Sequence, residues 1–109
     1  MLFRSLTKGT TNSGASAIFD PTIHSAAKVV ITANNVTADH REIYEMTVTS
    51  KNSDIFYTEY GNVTTGQDII STLFDFDAGG KVRLTATLTS SVSAGNVINV
   101  TVASTIIKK

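Results

Sequence analysis

The sequence predicts an all-β fold: an antiparallel β-sandwich of about seven or eight strands, Ig-like or jelly-roll-like, with a small barrel as the alternative. Three observations carry this. Threonine and serine make up about a quarter of the 109 residues, while there is a single proline and good helix formers are sparse. Apolar and polar residues alternate with period two along several segments. The segments recur every ~8 to 14 residues, too closely for the crossover helices of a parallel sheet.

Taken in order, 15–19 and 69–76 are short candidate strands. Residues 28–33 form a nearly continuous apolar run around Val29, Val30 and Ile31, the pattern of a strand covered on both faces. Residues 41–50 alternate, with Tyr44, Met46 and Val48 facing one way and Glu45, Thr47 and Thr49 the other. Between these two, Asn34, Asn35 and Asp39 tolerate turn conformations, and "SKNSD" does the same before a strand over 55–60. The clearest alternation is Val82, Leu84, Ala86 and Leu88 against Arg83, Thr85 and Thr87. After "SSVSAG" it resumes with Ile98, Val100 and Val102.

The domain organisation expected is an N-terminal arm, 1–14, followed by one sandwich domain, 15–109. "TKGTTNSGAS" is polar and reads as a flexible or partner-ordered arm. Ahead of it, Leu2, Phe3 and Leu6 make an apolar patch too small for a core but suited to anchoring on a partner. The N-terminus lacks the apolar stretch of a secretory signal, so the mature chain is expected to start at Met1, and no run approaches a membrane span. Nine basic and nine acidic residues give no net charge, so neither nucleic acid nor an anionic membrane is an expected partner. With no cysteine, disulfides, thiolate metal sites and thiol nucleophiles are excluded.

"FDFDAGGKVRL" places Asp75 and Asp77 on one side of a strand ahead of a glycine pair. A calcium loop needs six or more oxygens and a closing bidentate carboxylate, whereas Lys81 and Arg83 follow here and would repel a cation. The segment therefore reads as a corner: a strand ending at Phe76, Gly79 and Gly80 supplying positive φ in a tight hairpin turn, and a strand from Lys81. His24 and His40 lack the neighbours of a metal site, and no G-x-S-x-G elbow occurs. Glu42 with Glu45, or Glu59 with Asp54, could be paired as acid and base, but they read as ordinary solvated strand residues. The triplets at Asn35, Asn62 and Asn99 match glycan acceptors only formally. No catalytic residue, metal or cofactor is expected. "DIFYTEYGN" concentrates Phe56, Tyr57 and Tyr60; alternation assigns Phe56 to the core and leaves Tyr57 and Tyr60 as candidate contacts for a partner or a sugar.

Three stretches in order, "TIHSAAKVVITANNVT", "DIFYTEYGNV" and "FDFDAGGKVRLTATLTS", resemble the small β-rich virion structural proteins of tailed phages, marine and cyanobacterial ones in particular. The resemblance implies a non-enzymatic component of the phage particle, made in the host cytoplasm and present in many copies. Its expected partners are other virion proteins: the major capsid protein, or tail and neck subunits. The role expected first is a capsid decoration or cement subunit, with Leu2, Phe3, Leu6, Tyr57 and Tyr60 as partner contacts. The alternative is a tail, neck or fibre component that holds host glycans through Tyr57 and Tyr60.

Overall fold

The computed structural model describes residues 2–109, with side chains from Ser5 onward. Eight strands follow one another: β1 Leu2–Thr7, β2 Ser13–Phe19, β3 His24–Asn35, β4 His40–Lys51, β5 Asp54–Thr64, β6 Ile70–Phe76, β7 Val82–Leu88 and β8 Val97–Lys108. They form two sheets, β1-β8-β3-β4-β5 and β2-β7-β6, with every pairing antiparallel. This is the expected sandwich, and the barrel alternative is set aside because neither sheet closes on itself.

The turns follow from residues that tolerate the required conformations. Asn52 adopts φ 56° and Asp39 φ 57°, in the left-handed region where short polar side chains are least penalised. Asn35, buried at the end of β3, accepts from the backbone N–H groups of Thr37 and Ala38, fixing the exit from that strand.

The core lies between the sheets. Val29, Ile31 and Ala33 from β3, Met46 and Val48 from β4, and Ile98 and Val100 from β8 face Val82, Leu84 and Ala86 from β7. Each fully buried Val, Leu or Ile of this set is worth about 1.5–3 kcal/mol relative to exposure. The apolar run in β3 is covered on one face only: Val30 is 36% exposed while its neighbours Val29 and Ile31 are fully buried. No third layer lies on the outer face of the large sheet, so the run alternates in burial despite being continuous in sequence.

The N-terminal segment differs most from expectation. Residues 2–14 do not form an arm: β1 pairs with β8 from Leu2↔Val102 to Thr7↔Val97, and Ser13 opens β2. Leu6 lies opposite Ile98 and is 1% exposed, part of the core and not a surface contact. The polar stretch after it is a turn tied to the body. Lys8 Nζ donates to the Thr89 carbonyl at 2.8 Å, and the Lys8 N–H donates to the Asn96 carbonyl at 3.0 Å. The side chains of Leu2 and Phe3 lie outside the described residues.

Candidate functional site: the β5 edge and the ledge beside β6

β5 is paired on one side only, with β4, and ends the large sheet. The register sets which of its residues face the other layer. Val48, fully buried, stands opposite Tyr57, and Ser50 opposite Ile55, so Ile55, Tyr57 and Glu59 point inward while Phe56, Thr58 and Val63 point out. Phe56 is therefore not a core residue as its alternation with Thr58 suggested. It is 55% exposed on the outer face, because the two-fold period identifies the faces but only the pairing tells which face is inside. A bulge shifts the register between Glu45↔Gly61 and Met46↔Glu59, leaving Tyr60 as the extra residue.

Tyr57 and Tyr60, the candidate contacts, are 52% and 54% exposed. Tyr57 turns toward the small sheet, its ring 5.1 Å from that of Phe74 in β6, tilted by 49°. Tyr57 stays half exposed because β6 stands over β4 and not over β5. Glu42 Oε1 on β4 accepts from the N–H groups of Ile69 and Ile70, each at 3.1 Å, and the Tyr44 hydroxyl donates to the Ile70 carbonyl at 3.3 Å. A ledge results, with β5 as its floor and the free edge of β6 as its wall.

Glu42 is the functional-looking residue that sequence reading misplaced. It is fully buried, not solvated, and its second oxygen, Oε2, has no hydrogen-bond partner among the described residues. The signal was present, since Glu42 shares the parity of Tyr44, Met46 and Val48. Its role is to join the sheets. Burial, and then the Glu42 carboxylate beside it, push the Tyr44 phenol well above the ordinary tyrosine value.

Asp75, Asp77, His24 and His40 make structural contacts. Asp75 and Arg83, opposite each other on β6 and β7, form a two-pronged pair at 2.9 and 2.6 Å; the guanidinium lowers the Asp75 carboxyl below its ordinary value. Asp77 Oδ1 accepts from the N–H groups of Gly79 and Lys81 at 2.9 and 3.0 Å. The corner between β6 and β7 is thus a five-residue loop organised by Asp77, and of the two glycines expected to take positive φ only Gly80 does, at 80°. His24 Nδ1 accepts from the Asp20 N–H at 3.3 Å, and His40 packs so closely on Gly66 that a Cβ there would lie 2.6 Å from Nδ1. Among the described residues no group of three or more His, Cys, Asp or Glu is placed to hold a metal ion, and no helix is long and apolar enough to cross a membrane.

The molecule is thus a two-sheet antiparallel sandwich with Phe56, Tyr57, Tyr60, Val63 and Leu73 exposed on its β5 and β6 strands. No family model and no curated protein sequence matches the chain. Among solved structures, the fold is similar to part of the crystal structure of the tailspike protein of Acinetobacter phage vB_ApiP_P1, with a TM-score of 0.54 at 13% identity. The likeness covers 98% of this chain and 22% of that one, so the chain spans about a fifth of the tailspike's length.

Proposed function

We propose that the chain is a non-catalytic structural module of a phage particle, of tail type, that works by attaching to neighbouring protein surfaces. The observation that carries this reading is the exposed apolar side chains of Phe56, Tyr57, Tyr60 and Val63 on one edge strand, in a fold that over 98% of its length is similar to part of a phage tailspike. Single exposed apolar residues are ordinary, whereas several on one edge mark an interaction surface. The described carboxylates at Glu42, Asp75 and Asp77 are each engaged in holding the fold, which supports a role without catalysis.

Attachment to a capsid shell as a cement subunit was expected to use an N-terminal arm together with one sandwich edge, and the segment of the arm is built into the sandwich as β1 and the start of β2. The likeness to part of a tailspike makes the tail the preferred place. A second reading, adhesion to host glycans, is favoured by the exposure of Tyr57 and Tyr60 beside Glu59, since a flat ring with a neighbouring carboxylate suits a sugar face and its hydroxyls. Gold-labelled antibody against this chain, applied to particles of the phage that encodes it, tests the proposal. Label at the tail is expected, label spread over the head would transfer the chain to decoration, and particles free of label would overturn a virion role. Binding of the isolated chain to a glycan array, lost in Tyr60→Ala, would favour adhesion.

A further inference from the structure

The free edge of β6 is a row of backbone groups whose directions follow from the bonds around it. Along an antiparallel strand successive residues turn their N–H and C=O groups to opposite sides. The Ile69 carbonyl accepts from the Thr89 N–H at 3.0 Å, and the Asp77 N–H donates to the Lys81 carbonyl at 2.9 Å, so the odd-numbered residues face β7. Ile70, Thr72, Phe74 and Phe76 face the other way. Glu42 and Tyr44 already engage the N–H and C=O of Ile70. Those of Thr72, Phe74 and Phe76 point into the ledge, where β6 has no neighbouring strand among the described residues.

The same contacts set the floor below them. Glu42 and Tyr44 meet Ile70 at the start of β6, and Tyr57, which lies opposite Val48, meets Phe74 further along it. β4 and β6 therefore run the same way and keep pace. Phe74 is level with Tyr57, Thr72 with Glu59 opposite Met46, and Phe76 with Ile55 opposite Ser50. All three floor residues point inward. Ile55 and the Tyr57 ring are apolar, whereas Glu59 is an exposed carboxylate with no ion-pair partner among the described residues.

We infer that the ledge takes one strand of a second protein, added antiparallel to β6 and carrying the pattern apolar-x-apolar-x-Lys/Arg. This gives the attachment proposed above a partner of defined chemistry, and rests on that reading. Antiparallel pairing is the mode of every other pair in the fold, and it exchanges two hydrogen bonds at each of Thr72, Phe74 and Phe76. The residues opposite these three turn their side chains to the floor. From the amino end of the added strand, the first covers Ile55, the next covers Tyr57, and the last reaches toward Glu59 across a layer gap of about 10 Å. The two apolar residues take the half-exposed Tyr57 ring out of water. The cation fixes the register, because a slip of two residues takes it off Glu59.

This chain does not itself supply such a strand: none of its lysines or arginines has apolar residues at both two and four positions before it. The β6 edge is open to pairing. It carries neither lysine nor proline, the usual guards, and its Asp75 charge is paired with Arg83.

Nuclear magnetic resonance of the isotope-labelled chain, titrated to millimolar with the capped peptide TVTVTKT, tests the inference. The amides of Thr72, Phe74 and Phe76 are expected to shift and to exchange more slowly with solvent, and the control peptide TVTVTET is expected to bind about tenfold more weakly. Glu59→Lys, at an exposed position, is expected to reverse the preference between the two peptides. Absence of any shift with TVTVTKT, shifts confined to another strand edge, equal binding of both peptides to the parent, or an unchanged preference in Glu59→Lys would each overturn it. The result is separable from that of the particle labelling. Label at the tail without peptide binding keeps the tail reading and removes strand addition; peptide binding with particles free of label does the reverse.

Discussion

Glu42 on β4 and Ile70 on β6 are joined across the sandwich by a 3.1 Å hydrogen bond from the Ile70 N–H to a fully buried carboxylate oxygen, which also accepts from the N–H of Ile69. One side chain on the large sheet thus positions the start of a small-sheet strand, and with it the wall of the ledge. Glu42→Ala leaves two donors without an acceptor and opens a void, and is expected to destabilise the domain by about 3–5 kcal/mol. Glu42→Gln keeps an acceptor oxygen in place and should cost less, about 1–2 kcal/mol. Urea unfolding of the two variants against the parent checks the order; equal losses would mean that the two N–H groups do not depend on this side chain.

Tyr44 gives an alkaline limit to stability. It is 8% exposed, and burial together with the Glu42 carboxylate holds its phenol above the value it takes in the unfolded chain, about 10. Below that value both states keep the proton and the full stability is present. Above it the unfolded chain releases the proton first, so stability falls as pH rises from about 10 toward the higher folded value. Tyr44→Phe loses the bond to the Ile70 carbonyl, at a cost of about 1 kcal/mol near neutrality, but should show a shallower decline between about pH 9 and 11. Parallel slopes for the two proteins would remove Tyr44 as the cause.

The sequence made the inner faces of β4, β7 and β8 legible because each alternates cleanly and each is covered on one side. β5 was harder. Alternation separates Phe56 from Tyr57 but is symmetric between inside and outside, and only the pairing of Val48 with Tyr57 breaks that symmetry. Glu42 was readable by parity and obscured by residue type, since a carboxylate is seldom fully buried without a charged partner. The β1 segment was misread because six residues of an edge strand carry too short a pattern to separate from an arm. Its place in the fold is fixed by β8, some ninety residues later. The exposed tyrosines were found from composition, but the ledge they border follows from the unequal widths of two sheets, which no local pattern encodes.

The corner between β6 and β7 separates its two glycines. Gly80, at φ 80°, is strained by any side chain, and Gly80→Ala is expected to cost about 1–2 kcal/mol. Gly79 has ordinary φ, and an added Cβ would meet only Asp77 Oδ1 at 3.4 Å, so Gly79→Ala should fall within about 0.5 kcal/mol of the parent. Asp77→Ala removes the acceptor of two loop N–H groups and should cost about 1 kcal/mol, with or without calcium. A melting temperature that rises with calcium in the parent and not in Asp77→Ala would instead make this loop a cation site.

The N-terminal strand makes the sharpest contrast between an arm and a structural element. An arm can be removed without harm to the body. Here, deleting residues 1–13 takes away β1 with its six register pairs to β8, removes Leu6 from the core, and uncovers the inner face of Ile98 and Val100. The truncated chain is expected to lose its cooperative thermal transition. Leu6→Ala isolates the side chain from the backbone pairing and should cost about 2–4 kcal/mol while the fold remains. Circular dichroism melts of both proteins distinguish the cases. If the truncated chain melted like the parent, β1 would contribute nothing to the sandwich, and the apolar residues at its start would return to consideration as partner contacts.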